Sequence, residues 1–508
     1  MMSKEANHLH PIAMVISFFA SLKSIIIPGI VILLGRGFHY SLHSDSQYFI
    51  NTLITFAVIF FVIFFILMTA IIKWKRFVYW FEDEELRIEY GLFVKKKRYI
   101  PFERIQSLNY KEGIYHRLFK LVKVSIETAA DSGGKSEADL IAITRAQAEA
   151  IEQEMKKTKL RMSQQSTQEQ GIDQKAIVSE PTELETNRSI IHRMSTKDLL
   201  VLATTSSGIG VVFSGLAAIT SQFDDWIPYE RIYGELQSFI RFGVFMIVIA
   251  VLIFLLVSWV VSVVITFVNH YGFTVEKEED KLFISKGLLE KKRITIPMKR
   301  IQGIRIVENP LRQLFGYATV VIESAGSSGE KGEQKIVMLP LVKKQQGVVI
   351  LEKLFPKEQW HLPLHHAPKR ALLRYMFRHL YWLTPIVAVV SYITFPYGLW
   401  SILLLPLALL LGIWQHRSTG YAISNQQLTI VYRGVSKITF VTSKKRLQAI
   451  SLSQSYFAKR RDLATVTVHI MSGSSGSMAT IKHFDQVALE KVFEWYRPKS
   501  HGSIDAKE

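Results

Sequence analysis

Long apolar runs come in pairs along this chain, and behind each pair the hydrophobic pattern changes its period. The first pair occupies residues 12–34 and 50–72, the second 199–219 and 244–268, and the third 380–395 and 399–414. The first four runs are long enough to cross a hydrocarbon layer of about 30 Å at roughly 1.5 Å per helical residue. The third pair is shorter and is joined by Pro396-Tyr397-Gly398, which predicts a helical hairpin. Six membrane-spanning helices in three pairs is the expectation.

Behind each pair the alternation is that of strands. Leu86-Arg87-Ile88-Glu89-Tyr90 alternates, Gly91 interrupts it, and Lys97-Arg98-Tyr99-Ile100 resumes, which predicts strand, turn and returning strand. A later strand at residues 123–127 runs into Asp131-Ser132-Gly133-Gly134, and after one more strand a helix is predicted over residues 145–157. The same order recurs around the turns at Gly287 and Gly434, with helices predicted at 342–355 and 484–496. Each unit reads as a small antiparallel sandwich or roll closed by a C-terminal helix, so the fold class is α+β in a multi-domain membrane protein.

The units are copies of one another. With Ile100 laid on Ile296, Ile100-Pro101-Phe102-Glu103-Arg104-Ile105-Gln106 matches Ile296-Pro297-Met298-Lys299-Arg300-Ile301-Gln302, and Lys95-Lys96-Lys97 falls on Lys291-Lys292-Arg293. Leu118-Phe119 and Leu314-Phe315, and the strands ending at Glu127 and Glu323, keep the same register. A weaker third copy carries Arg446-Leu447-Gln448 and has Ser443 in place of the proline. The repeat divides the chain into a span pair (1–76), unit one (77–157), a polar linker (158–196), a span pair (197–268), unit two (269–357), a juxtamembrane helix with the third pair (358–416), unit three (417–498) and a tail (499–508).

Composition sharpens this picture. Hydrophobic residues make up 49% of 508 and mean hydropathy is +0.18, as in a membrane protein. With no cysteine, disulfides, thiolate metal sites and cysteine nucleophiles are excluded. The net charge is +19, and clusters of its cations stand beside the spans, at Lys73 to Arg76, His192-Arg193, Lys197, and Lys369 to Arg378, while residues 221–242 carry Asp224, Asp225, Glu230 and Glu235. By the positive-inside bias, both termini and all three units are expected in the cytoplasm, and nucleic acid is not the expected partner.

These features resemble the bacterial pleckstrin-homology-like (bPH2-type), membrane-flanked domain family in its long, three-unit form. The likeness is carried by the turns at Gly91, Gly287 and Gly434, by Ile-Pro-x-x-Arg-Ile-Gln, by the paired Leu-Phe positions and by the strands ending in Glu127 and Glu323. It implies PH-like cytoplasmic domains in a membrane protein of envelope-stress or antimicrobial-peptide protection. It further implies work beside a shorter membrane-flanked-domain protein.

No catalytic, cofactor or metal constellation is nominated. Gly133-Gly134-Lys135-Ser136 ends like a phosphate loop, but Ala129 stands where that pattern needs glycine. His361, His365 and His366 have a metal-like spacing broken by Pro363. Candidate lipid or partner contacts are Lys95, Lys96, Lys97, Arg98, Lys291, Lys292 and Arg293 in the hairpin turns, and Arg370, Arg374 and Arg378 at every fourth residue. Gly91, Gly287, Gly434, Pro101 and Pro297 are read as structural. Arg104, Arg300 and Arg446 are read as structural too, with Glu127 and Glu323 their expected partners across the sheet. Lys23 is the one cation deep in a predicted span, read either as packed inside the bundle or as marking where the first span begins. With no catalytic motif, the leading expectation is a non-enzymatic membrane scaffold that contacts lipids, a partner or its own copies. The alternatives are a six-helix transporter or an anionic-lipid recognition module.

Overall fold

The computed structural model describes residues 6–35, 46–128, 136–168, 188–206, 244–325, 335–393, 395–472 and 476–497. Unit one holds strands β1 (Asn7–His8), β2 (Val78–Glu82), β3 (Glu85–Tyr90), β4 (Lys96–Pro101), β5 (Ile105–Glu112), β6 (Leu121–Thr128) and β7 (Ala138–Thr144). Unit two holds β8 (Ser189–Arg193), β9 (Thr274–Glu278), β10 (Lys281–Lys286), β11 (Lys291–Pro297), β12 (Ile301–Glu308), β13 (Tyr317–Ser324) and β14 (Lys335–Lys343). Unit three holds β15 (His365–His366), β16 (Gly420–Ile423), β17 (Gln427–Arg433), β18 (Lys437–Ser443), β19 (Leu447–Ser453), β20 (Leu463–Ile470) and β21 (Ser477–Asp485). Helices Arg145–Gln168, Lys344–Leu354 and Gln486–Tyr496 close the three units where the periodicity places them.

Each unit is a four-stranded and a three-stranded antiparallel sheet facing each other, and the alternating apolar residues of the two fill one core. Leu86, Ile88, Ile100, Val124, Ile126 and Leu140 are fully buried in unit one, Leu282, Ile284, Ile296, Val320 and Ile322 in unit two, and Leu428, Ile430, Val466 and Val468 in unit three. The cores are separate, but the sheets are not. The order β7-β6-β5-β11-β10-β9-β8 makes one seven-stranded sheet from the back of unit one and the front of unit two. The order β14-β13-β12-β18-β17-β16-β15 does the same for units two and three. Among the described residues β1-β2-β3-β4 and β19-β20-β21 are sheets confined to a single unit.

The repeated Ile-Pro-x-x-Arg-Ile-Gln motif is the corner that takes the chain between the two sheets of a unit. Pro101 and Pro297 end β4 and β11, where no further ladder donor is needed. A single 3-10 turn follows (Phe102–Arg104, Met298–Arg300), then a buried isoleucine, Ile105 or Ile301. The pairing register then shifts between Ile105 and Ser107 and between Ile301 and Gly303, so Gln106 and Gln302 are bulge residues. Unit three repeats the turn and the bulge with Ser443 and Gln448, so the missing proline is not needed for the corner.

Among the described residues three stretches are long and apolar enough to cross a membrane: Ala57–Arg76, Leu252–His270 and Gly398–Ser418. Each is the second member of a predicted pair. Of the first members, residues 12–34 lie in helix Ile12–Gly35, and residues 380–395 overlap helix Leu372–Ile393, which contains Pro385. The run at 199–219 is described only up to residue 206, within and just past helix Thr196–Thr205. The expected linker is shorter than its polarity suggests. The closing helix of unit one runs on to Gln168, and β8 adds Ser189–Arg193 to the sheet of unit two beside β9. The side chain of Lys23, the Gly/Ser turns at 131–134 and 326–329, and Trp226 and Tyr229, two of the aromatic residues expected near span ends, lie outside the described residues.

Candidate functional site

Two places gather charge outside the cores. The first is a cavity of about 690 Å³ in unit one, where its two sheets part beside the ends of the first two helices. Leu9, Ala13, Trp74 and Phe77 form its apolar side, and Trp74 fixes that side by donating its indole N–H to the Leu9 carbonyl at 2.8 Å. Its polar side carries Arg98, Lys123, Glu127, Asp139, Lys292 and Arg293.

Several of these groups have protein partners. Lys123 lies 2.9 Å from Asp139, which also accepts from Ser125 Oγ at 2.7 Å and Ser136 Oγ at 2.6 Å. Burial opposes the charge on Asp139, but Lys123 and the two hydroxyls outweigh it, so the acid is held below its ordinary range. Arg98 lies 3.5 Å from Glu137. Arg293 is different: its guanidinium stacks 4.8 Å over Phe283, and its Nε and Nη2 are buried with no hydrogen-bond partner among the described residues. Burial, then the nearby Arg188, pushes its pKa down, although Glu152 and Glu276 work against that shift.

The second place is the pair of seams where the units share a sheet. At the first seam β5 and β11 pair Glu112, Lys111 and Tyr110 with Lys291, Lys292 and Arg293. Glu127, almost fully buried, accepts from Ser107 Oγ and Asn109 Nδ2 at 2.7 Å each and lies 3.5 Å from Arg300 of unit two. Thr295 donates its amide to Asn109 Oδ1 and its hydroxyl to the Leu108 carbonyl, both at 2.9 Å. On the outer side Glu278 of unit two binds Lys156 of unit one at 3.2 Å and Arg188 at 2.9 Å, while Tyr110 donates to Glu152 at 2.8 Å.

The second seam is longer, pairing β12 with β18 from Gly303↔Thr442 to Glu308↔Lys437. At its centre Arg305 ion-pairs with the fully buried Glu323, donates to Tyr432 Oη, to Ser477 Oγ at 2.9 Å and to the Met478 carbonyl at 3.0 Å, and lies 4.7 Å over Phe440. All four of the groups other than Glu323 belong to unit three.

The structure thus brings some of the nominated residues together and separates others. Arg98, Lys292 and Arg293 surround the cavity. Lys95 and Lys97 clasp Glu89 of their own hairpin at 2.5 and 2.9 Å, and Lys96 and Lys291 are exposed. Arg374 and Arg378 lie one turn apart on helix Leu372–Ile393, but Arg370 falls in the 3-10 turn Lys369–Ala371 before it, and all three reach protein: Arg370 lies 2.8 Å from Asp485, Arg374 donates to Ser455 Oγ at 3.4 Å and Arg378 to Gln415 Oε1 at 3.1 Å. Of the repeated arginines, Arg300 reaches Glu127, but in the preceding unit and not across its own sheet. Arg104 is exposed, and Glu323 is taken by Arg305. His361 lies 3.5 Å from Glu352, and His365 and His366 form β15. No cluster of metal-binding side chains occurs among the described residues.

Neither Arg305 nor the Arg188–Glu278 pair is marked by the repeat, since none of the three belongs to the shared motif. The one available signal for Arg305 was a lone charge inside Ile304-Arg305-Ile306, a run otherwise apolar.

The chain matches the family model described as Bacterial PH domain in three segments, residues 22–159, 226–355 and 379–500. It is 32% identical over 501 residues to a protein of Bacillus subtilis (strain 168) named UPF0699 transmembrane protein YdbT. That alignment covers 97% of this chain and 99% of its relative.

Proposed function

We propose that this chain, which belongs to the bacterial PH domain family, is a multi-pass membrane scaffold whose three PH-like units act together as one cytoplasmic contact surface. The observation that carries the reading is the sharing of sheets between units. Both seams are strand ladders with buried ion pairs, so the units present one continuous rigid body to a partner, not three independent binding modules. The seams also support the six-span arrangement. Strands of one sheet lie on one side of a bilayer, so the chain between successive units crosses an even number of times. The positive charge flanking the spans favours the cytoplasmic side.

The role we assign to this surface is protection of the envelope against membrane-active peptides, in company with a shorter membrane-flanked-domain protein or further copies of the chain. The test is survival of a deletion strain against a panel of pore-forming bacteriocins. Sensitivity is expected to rise, to be restored by the native chain, and to stay high with a variant whose second seam is broken. Unchanged survival across the panel overturns the protective role.

A second reading, recognition of an anionic lipid head group, is favoured by one feature: the buried, unpartnered Nε and Nη2 of Arg293 at a cavity with an apolar wall beside the spans. Because the units share sheets, the binding test belongs to the full chain in nanodiscs. Arg293→Gln is expected to abolish any preference for anionic over neutral lipid, and an unchanged preference removes this reading.

A further inference from the structure

The seams define a rule that two strands leave unsatisfied among the described residues. At each seam the last strand of a unit's first sheet (β11, β18) pairs antiparallel with the first strand of the preceding unit's second sheet (β5, β12). Among the described residues no strand pairs with the outer side of β4, the counterpart of β11 and β18, which leaves it a sheet edge. Likewise no described strand pairs with the outer side of β19, the counterpart of β5 and β12, and it is the edge of the sheet β19-β20-β21.

Exposure reports the difference. Tyr99 of β4 is 54% exposed, whereas Thr295 and Val441, which hold its place in β11 and β18, are 5% and 3% exposed. Leu452 of β19 is 39% exposed, whereas Ile306 in β12 is 8% exposed. β19 also lacks the usual protections of an edge, since Leu447-Gln448-Ala449-Ile450-Ser451-Leu452-Ser453 contains no charge and no proline. The proline and the cations of β4 do not bar pairing, because β11 carries Lys292, Arg293 and Pro297 and pairs at the first seam.

We propose that β19 of one copy of this chain docks on β4 of a second copy, continuing head to tail the same sheet-sharing that joins the units inside the chain. The inference rests on the scaffold reading above and names the partner of its contact surface. The second seam supplies the register: Ala449 faces Ile100, Ile450 faces Tyr99, Ser451 faces Arg98, Leu452 faces Lys97 and Ser453 faces Lys96.

An uncharged β19 receives this lysine-rich strand without the like-charge pair that the first seam tolerates at Lys111 and Lys292. The contact is weaker than the internal seams. Gln454 stands where Glu112 and Glu308 face Lys291 and Lys437, and His469 stands where Glu127 meets Arg300. A heterologous contact of this kind builds rings or filaments, and confinement to one membrane keeps the edges of neighbouring copies level.

A chain without cysteine makes the test direct. Two differently tagged full-length chains, one Lys96→Cys and one Ser453→Cys, are expressed together and oxidised in membranes, with an intrachain Val307→Cys/Ile438→Cys pair as the seam control. The expected result is a disulfide-linked heterodimer of the two tags, its loss when Ser451→Cys replaces Ser453→Cys two residues out of register, and intrachain closure in the control. Closure of the control without the mixed dimer overturns the head-to-tail contact while leaving the scaffold reading in place. Failure of the control overturns the seams and this inference with them. Equal linkage in and out of register, or linkage of Ser453→Cys chiefly to its own kind or to another protein, overturns it as well.

Discussion

Arg305 has no counterpart of its own kind in the other units, since Asn109 and Ser451 hold its place, yet it is the most heavily partnered side chain of the second seam. Searching the repeats for a shared arginine finds Arg104, Arg300 and Arg446 and passes over it. Repeated residues report what every unit needs, whereas a seam is made by what differs between neighbours. Arg305 and Glu323 are 5% and 0% exposed, so removing one partner strands the other charge away from water. Glu323→Ala is expected to cost about 3–5 kcal/mol, and Arg305→Met with Glu323→Leu distinctly less, because the double change leaves no orphaned charge. Thermal unfolding of the purified chain in detergent measures both.

A second residue-scale prediction concerns His483 in β21. Burial, then Arg374, Arg378 and Lys482, holds its pKa at about 4 against an ordinary 6.5. The fold therefore favours the neutral ring. The stability this provides is complete above pH 6.5 and is lost as pH falls toward 4, where the unfolded chain takes up the proton first. The melting temperature of the native chain should fall across that window more steeply than that of His483→Gln. Parallel curves for the two would contradict the assignment.

At the scale of elements, the strands, their hairpins and the closing helices were legible because each follows from local periodicity and from turns with a steric reason. Gly91 and Gly287 have φ of +134° and +108°, and a Cβ on either would come within 2.0 Å of a carbonyl oxygen, that of Val94 or Glu290. Gly434 was grouped with them by its place in the repeat, but its hairpin is built differently, and a Cβ there meets nothing within 4 Å. Gly91→Ala and Gly287→Ala are each expected to destabilise by about 1–3 kcal/mol and Gly434→Ala to be close to neutral. Equal losses at all three positions in thermal melts would contradict this. Which strand lies beside which was not legible. Alternation encodes the faces of a strand, but its edges are backbone, and the backbone of β4 looks the same in sequence whether or not another unit covers it. The linker expected at 158–196 gives way to a helix at one end and a strand at the other for a related reason: polar residues suit a solvated helix end and an edge strand as well as they suit a loop.

At the scale of the whole molecule, the shared sheets turn orientation into a single question. If any one unit is cytoplasmic, a continuous body of three units places the others there too, and each intervening segment must leave the membrane on the side where it entered. Helix Val244–His270 lies between units one and two, so the six-span reading requires a companion crossing before it, and the same parity asks helix Leu372–Ile393 to accompany Gly398–Ser418. Pro385 inside Leu372–Ile393 is tolerable in such a span because neighbouring helices and hydroxyl side chains can satisfy the freed backbone groups. Single cysteines test the arrangement without background. A membrane-impermeant maleimide applied to intact cells is expected, on the six-span reading, to label Ser44→Cys and Gln222→Cys, which fall between the hydrophobic runs of the first and second pairs. Lys96→Cys, Lys353→Cys and Lys459→Cys, one in each unit, are expected to react only after the membrane is opened. Labelling of one unit site and not the other two in intact cells would be incompatible with sheets that cross both seams, and labelling of all three would invert the proposed topology while leaving the seams intact.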